Sequence, residues 1–339
     1  MRSKNIPFSL QQREHQIKWR KDNISSPKPG KQNGDYYKHI IPKNIWHESI
    51  WEEIRTDLNE YLKENNIQMH TGTHNLLSSW VLCANLYFPI RTDSNLRLLM
   101  TEFLKVKVSD QITEITDVEL EFAFPAGDPC HPTLLLGEMD GSRGSGQTSP
   151  DVAFKVNTKS GKGIVLTECK FTEHSFYKCS ARRTKDNTAR KGNPDPGRCL
   201  IPAYNYNYSN ICHQTVWERK YWDIVKLSQK GEENLLRCPA ATAGYQLFRQ
   251  QALAEGILMN SDLTFVASTV AFDNRNIDLK RCLRGTGIPD FQSDWQSMFN
   301  GESIFKTWTH QEWINFARTN SDAEIFGNWF EYISNRYKY

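Results

Sequence analysis

The chain of 339 residues is 38% hydrophobic, 24% charged and 12% aromatic, a makeup that excludes a disordered, collagen-like or coiled-coil polypeptide and suits one large or two modest domains. No apolar run approaches the roughly 18–20 residues of a membrane span; the most apolar stretch, Trp80 to Ile90, is too short. With 42 Lys and Arg against 39 Asp and Glu the formal charge is +3, so net charge alone does not mark a nucleic-acid binder.

The start of the chain is polar, with no signal-like apolar segment, and the expected compartment is the cytoplasm. Met1 to His47 holds ten basic and three acidic residues, a local +7 that leaves the remainder at −4. Residues 1–45 therefore read as a basic, partly flexible arm outside the core, able to meet phosphates or simply to stay solvated. Residues 46–110 read as a helical region packed on the core: Ile50, Ile54, Leu58, Tyr61 and Leu62 recur at helical spacing within Trp46 to Gln68. A second helix is expected from His74 to Tyr87, stopped by Pro89, and a third from Leu96 to Lys105.

From residue 111 onward the pattern changes. Asp117 to Phe124 alternates polar and apolar residues as a half-buried strand does. Asp151 to Val156 and Gly163 to Phe171 flank a Lys-Ser-Gly-Lys-Gly turn and should pair as a hairpin. Residues 172–240 read as a cysteine-containing insertion, loop-like and basic, with a helix around Trp217 to Leu227. Tyr245 to Leu258 is a helix, Leu263 to Phe272 a buried strand, and Trp308 to Ala317 and Ala323 to Tyr337 are helices. The expected class is α/β, a central mixed sheet flanked by helices.

The chemistry centres on Pro150-Asp151 at the start of one strand and Glu168-Cys169-Lys170 near the end of the next. Residues i and i+2 of a strand share a face, so Glu168 and Lys170 point together and a hairpin brings Asp151 beside them. Two nearby carboxylates repel as anions and are relieved by a hard divalent cation, Mg²⁺ or Mn²⁺. The Lys170 ammonium would then orient water, help deprotonate it or neutralise charge on a phosphate.

Ser149-Pro150-Asp151 … Glu168-Cys169-Lys170 resembles the signature of the PD-(D/E)XK nuclease superfamily. More of the chain resembles a bacterial group of restriction-endonuclease-like members: Ser78-Ser79-Trp80 … Asn85-Leu86-Tyr87-Phe88-Pro89, Leu136-Gly137-Glu138, Arg143-Gly-Ser-Gly-Gln-Thr-Ser-Pro-Asp151, Glu168-Cys-Lys-Phe-Thr-Glu173, Tyr245-Gln246-Leu247-Phe248-Arg249 and Trp329 … Tyr332 … Arg336-Tyr337. Trp80 departs from it, standing where Gln is expected. The resemblance implies a restriction-endonuclease-like core and a metal-dependent DNA endonuclease of restriction or defence type. Asp151 and Glu168 would bind metal, Lys170 would assist the water, and Gln246 would position Lys170, water or DNA. An upstream acid should support the metal, either Glu121, which is favoured, or Glu138.

Eight cysteines are too few and too irregular for a secreted disulfide framework. Cys179, Cys199, Cys212 and Cys238 match the number needed for structural zinc or an iron–sulfur cluster, but no CxxC pair occurs, and buried thiols are the alternative. Lys178 to Arg198 carries a local +5; Arg182, Arg183, Lys185, Arg190 and Lys191 could track a nucleic-acid backbone, with Tyr204, Tyr206 and Tyr208 stacking on bases. Arg143 would contact phosphate, or its loop only bends the chain toward Pro150. DNA is the expected partner, with a homodimer and an accompanying defence protein compatible with the reading. The rival reading is a non-catalytic nucleic-acid-binding or assembly protein that retains the nuclease fold.

Overall fold

The computed structural model describes residues 6–69, 71–139, 141–187, 190–321 and 323–339. In chain order the main elements are α1 (Phe8–Asn23), α2 (Arg55–Glu64), α3 (Ser79–Thr92), α4 (Ser94–Lys107), β1 (Ile112–Leu120), β2 (Val152–Thr158), β3 (Gly161–Lys170), α5 (Tyr245–Asn260), β4 (Phe265–Phe272), β5 (Ile304–Thr309), α6 (His310–Asn320) and α7 (Ala323–Tyr337). The strands lie side by side in the order β1-β2-β3-β4-β5. The first three pair antiparallel and the last three parallel. This is the mixed, helix-flanked α/β sheet expected from the sequence.

The pleat sends alternate residues into two separate cores. Val152, Phe154, Val165, Cys169, Ala267 and Trp308 face one side, where α2, α3, α4, α6 and α7 contribute residues such as Tyr87, Phe103, Trp313 and Trp329. Ala153, Ile164, Leu166, Val266 and Val270 face the other, covered by α5 and by the short helices of the 172–240 insertion. Helix α5 is held to the sheet by a buried amide: Gln250 Nε2 donates to Ser268 Oγ and Thr269 O at 3.0 Å and to Leu166 O at 3.3 Å.

Several boundaries differ from the sequence expectations. Helix α3 runs through Pro89 to Thr92 instead of stopping before it. A helical proline leaves the carbonyl four residues back without its donor, and Trp329 Nε1 supplies one to Asn85 O at 3.0 Å. Trp308 belongs to β5, not to a helix; α6 starts at His310 behind a Thr309–Glu312 capping box. The Trp46–Gln68 helix is confined to α2, because Ile50 and Trp51 take extended backbone after a short 3-10 segment. Helix α1, within the segment read as an arm, buries Phe8, Gln12, Gln16, Trp19 and Arg20. Gln16 Nε2 donates to Arg336 O of α7 at 2.7 Å, and the Arg336 guanidinium sits 4.4 Å from the Trp19 ring centroid.

Replacing Gln250 with Leu keeps bulk but deprives the carbonyls of Leu166 and Thr269 of a buried donor. The expected loss is roughly 1–3 kcal/mol, seen as a lower urea midpoint at unchanged m.

Candidate active site

The hairpin register builds the site. Leu120 pairs with Val152 and Val152 with Thr167, so the next rung of the same ladder carries Glu121, Asp151 and Glu168 across three adjacent strands. Glu121 N donates to Asp151 O at 3.1 Å, continuing that rung, and Cys169 N donates to Asp151 Oδ2 at 2.7 Å. Glu121, Glu168 and Lys170 are buried and Asp151 is half-buried. Lys170 Nζ donates to Glu168 Oε1 at 2.7 Å and faces the rings of Tyr177 and Phe176 at 5.6 and 5.9 Å.

Strand β1 ends here because Glu121 adopts φ +48°, the left-handed region that side chains other than Gly occupy at a cost. Arg143 holds this turn: its Nε donates to Glu121 O at 2.7 Å, and one terminal nitrogen donates to Leu120 O at 3.0 Å, Tyr61 OH at 2.9 Å and Glu119 Oε2 at 2.6 Å. The guanidinium expected to meet phosphate is thus committed to the protein's own backbone and to Glu119. Trp80, the position where Gln is expected, lies near enough to Glu121 to pull its carboxyl pKa down slightly, against the larger upward effect of burial.

Charge in this row is expensive. Burial, then the Asp151 and Glu168 carboxylates, hold Glu121 well above the usual carboxylate range. Burial, then Glu168, do the same to Asp151 against the opposing pull of Lys170. For Lys170 burial acts downward, but Glu168, Glu173 and Asp151 outweigh it and keep the amine protonated beyond the ordinary lysine range. Glu173 had no role assigned from the sequence. Its Oε2 accepts from Phe171 N at 2.8 Å and its Oε1 from Ser79 N at 3.2 Å, tying the end of β3 to the first turn of α3. An acid three residues beyond Lys170 was the available signal.

A second support reaches Lys170 through its carbonyl. His310 Nε2 lies 3.1 Å from Lys170 O, which can only accept, so Nε2 carries the proton and Nδ1 accepts from Tyr87 OH at 3.0 Å. Tyr87 OH in turn accepts from Trp308 Nε1 at 3.1 Å. Asp273 N also donates to Lys170 O, at 3.2 Å.

Glu138, the other candidate upstream acid, stands apart from the row. Its fully buried carboxylate accepts from Thr148 N and Oγ1, Tyr221 OH and the Arg249 guanidinium. Most of these bonds fall on Oε1, while Oε2 accepts from Thr148 N, so the carboxylate is committed to Thr148, Tyr221 and Arg249 away from the acid row. Gln246 lies in the first turn of α5, its N–H donating to Phe176 O at 3.0 Å, while its Oε1 is buried with no hydrogen-bond partner among the described residues.

Cys179, Cys199, Cys212 and Cys238 are unbridged and lie within electrostatic reach of one another, burial raising each thiol. Cys179 Sγ accepts from Gln214 Nε2 at 3.2 Å. Among the described residues no three His, Cys, Asp or Glu side chains form a group able to hold an ion, so the thiols offer no ready tetrahedral set and the acid row offers an ion fewer than three carboxylates. Of the basic insertion, Arg182 donates to Pro196 O and Ala241 O, and Arg183 and Arg190 face the Trp217 ring. Lys185 and Lys191 are exposed. Tyr204 and Tyr206 are exposed, whereas Tyr208 is buried with its hydroxyl donating to Ile201 O, so it is not presented to a base.

Residues 13–338 match the family described as "Restriction Endonuclease associating with ARP", and the chain belongs to that family. Compared with curated proteins and with solved structures, it matches none. Among the described residues no helix is long and apolar enough to cross a membrane.

Burial lowers the His310 pKa to about 4, against a smaller upward pull from Asp273 and Lys170 O. A folded value below the unfolded one of about 6.5 means that stability is fully present above the unfolded value and is lost as pH falls toward the folded one. Urea titrations across that window should show the wild type weakening, and His310→Gln should flatten the slope by about one proton.

Proposed function

We propose that the protein is a metal-dependent nuclease of the PD-(D/E)XK type that hydrolyses DNA phosphodiester bonds. Asp151 and Glu168 would be the carboxylates that hold Mg²⁺ or Mn²⁺, and Glu121 the acid that supports them. The observation that carries this reading is the single cross-strand row of three acids with one ammonium against it. Such a row is unfavourable unless its charge is neutralised, and Mg²⁺ takes one or two carboxylates together with water and phosphate oxygens. Membership of a family described as restriction endonucleases supports the same reading.

When bound, the ion would supply positive charge to a phosphate oxygen and acidify water. Lys170, held as an ammonium, donates hydrogen bonds from Nζ; that suits orienting the attacking water or neutralising charge on the phosphate better than taking a proton. Gln246, whose buried Oε1 has no hydrogen-bond partner among the described residues, would act as a positioning residue at the start of α5. Exposed Lys185 and Lys191 would meet the backbone electrostatically. The ends produced would be 5′-phosphate and 3′-hydroxyl, and the family description supports joint action with an ARP partner.

Supercoiled plasmid incubated with the protein and Mg²⁺ or Mn²⁺ should be nicked and linearised. Asp151→Asn and Lys170→Ala should each lower the rate by about 100-fold or more. No cleavage by the wild type in either metal, or undiminished cleavage by both variants, overturns the assignment.

A thermal measurement tests the ion separately. The folded pKa values of Asp151 and Glu121 lie above their unfolded values, so the metal-free fold binds protons more readily and weakens as pH rises from the unfolded carboxylate range through the folded values. In EDTA at neutral to alkaline pH, Asp151→Asn should therefore melt above the wild type. Mg²⁺ at about 100 times its dissociation constant should restore about 2.7 kcal/mol to the wild type and give Asp151→Asn little or no shift.

A further inference from the structure

Tyr177 stands at the edge of the acid row in a conformation that its residue type does not favour. Its φ is +58°, in the left-handed region that residues other than glycine enter at a cost. The turn is pinned from several sides. Tyr177 N donates to Ser175 Oγ at 3.3 Å and Phe176 N to Ala243 O at 2.8 Å, while the first two peptide N–H groups of α5, on Tyr245 and Gln246, donate to Tyr177 O and Phe176 O at 3.0 Å. Those two donors have no acceptor within their own helix, so the start of α5 holds the turn in place.

Packing does not account for the side chain that this turn carries. Glycine or asparagine would occupy it at less cost. The neighbouring Phe176 is fully buried, but Tyr177 is 50% exposed. Its ring centroid lies 5.6 Å from Lys170 Nζ, and its hydroxyl makes no hydrogen bond among the described residues. Burial, together with Glu173, Glu168 and Asp151 and against the pull of Lys170, raises the phenol above the ordinary tyrosine range. The hydroxyl is therefore a neutral donor within electrostatic reach of three carboxylates, bonded to none of them. Of this group Asp151, Glu173 and Tyr177 reach solvent, whereas Glu168 and Lys170 are buried.

We infer that Tyr177 is a substrate-binding residue whose hydroxyl donates a hydrogen bond to a phosphate oxygen of the DNA strand drawn to Lys170. A phosphate attracted by the ammonium comes to the group that the Tyr177 ring already faces, and it offers the anionic acceptor that the free hydroxyl lacks. Hydrogen bonds to an ionised acceptor are the stronger kind. Because the clamped turn sets the ring in place before the substrate arrives, little further ordering opposes binding. The inference deepens the nuclease reading and rests on it for the identity of the substrate. Cleavage chemistry stays with Asp151, Glu168 and Lys170.

Three readouts on the full chain separate the inference from the reading beneath it: plasmid cleavage in Mg²⁺, binding of a labelled duplex in Ca²⁺, another cation that takes oxygen ligands, and melting temperature. Tyr177→Phe removes only the hydroxyl. It should lower kcat/KM by roughly 10- to 100-fold and weaken duplex binding at an unchanged melting temperature, because no bond within the protein is lost. Tyr177→Gly, which removes the ring as well and suits the left-handed turn, should lose no less activity. Wild-type cleavage and binding in Tyr177→Phe overturn the inference and leave the nuclease reading standing, even where Tyr177→Gly is impaired, since the ring alone would then be at work. A Tyr177→Phe protein that loses activity only in step with a lower melting temperature has lost a structural contact, and the inference falls. A wild type that binds DNA without cutting it, with binding weakened in Tyr177→Phe, overturns the nuclease reading while Tyr177 stands as a DNA contact. A wild type that neither cuts nor binds DNA overturns both.

Discussion

Everything distinctive about this chain rests on keeping Glu121, Asp151 and Glu168 side by side in a rung of sheet that is largely closed to water. Carboxylates in a low dielectric repel, and solvation alone would drive them apart. They stay together because their positions are set by the backbone. A slip of one residue in β1, β2 or β3 would turn every apolar side chain of that strand from its core toward the opposite face, a loss far larger than the repulsion it would relieve. Arg143 and the peptide N–H of Cys169 then fix what the ladder leaves loose, the left-handed turn at Glu121 and the Asp151 carboxylate.

Around this row the protein places compensating groups at different depths. Lys170 lies against Glu168, and Glu173 binds the peptide just beyond it while reaching across to α3. On the far side of the sheet Trp308, Tyr87 and His310 form a directed line of donors and acceptors ending on the Lys170 carbonyl. Because a carbonyl only accepts, one tautomer of His310 satisfies the whole line, and protonating the ring would turn an acceptor toward Tyr87 into a second donor. The polar line couples the helices that follow β5 to the backbone of the residue that bears the ammonium.

The sheet was legible in the sequence because its signals are local. Alternation from Asp117 to Leu120, which marks the end of β1 although the strand stops at Glu121 short of the expected Phe124, and the Gly-rich turn between β2 and β3 depend on neighbours in the chain. Asp151, Glu168 and Lys170 were legible for the same reason: spacing within a strand fixes which residues share a face. What the sequence could not reveal were partnerships formed at long range. Pro89 reads as a helix stop until Trp329 is found bonded to the Asn85 carbonyl. Glu138 and Arg143 read as ligands for metal and phosphate, since a buried acid and an Arg in a Gly-rich loop look alike whether their partners are solutes or the protein itself. Only the fold shows that Tyr221, Thr148 and Arg249 converge on one and Glu119, Leu120 and Glu121 on the other.

The spacing of the motif follows from its place at the boundary of two cores. In β3 the even positions face α5, so Ile164 and Leu166 pack there and Glu168 and Lys170 come next along the same line. The odd positions face the helices of the other core, where Val165 and then Cys169 are enclosed. The residue between the acid and the lysine must therefore be small and tolerate complete burial, and Cys169 meets that demand as a neutral thiol, raised to about 11 by desolvation and lying against Cys83. A charged residue there would be forced into an apolar core directly behind the carboxylates, adding to the electrostatic load the row already carries. The middle position is thus closed to charge by packing, which is why the same three residues both define the candidate site and seal the sheet.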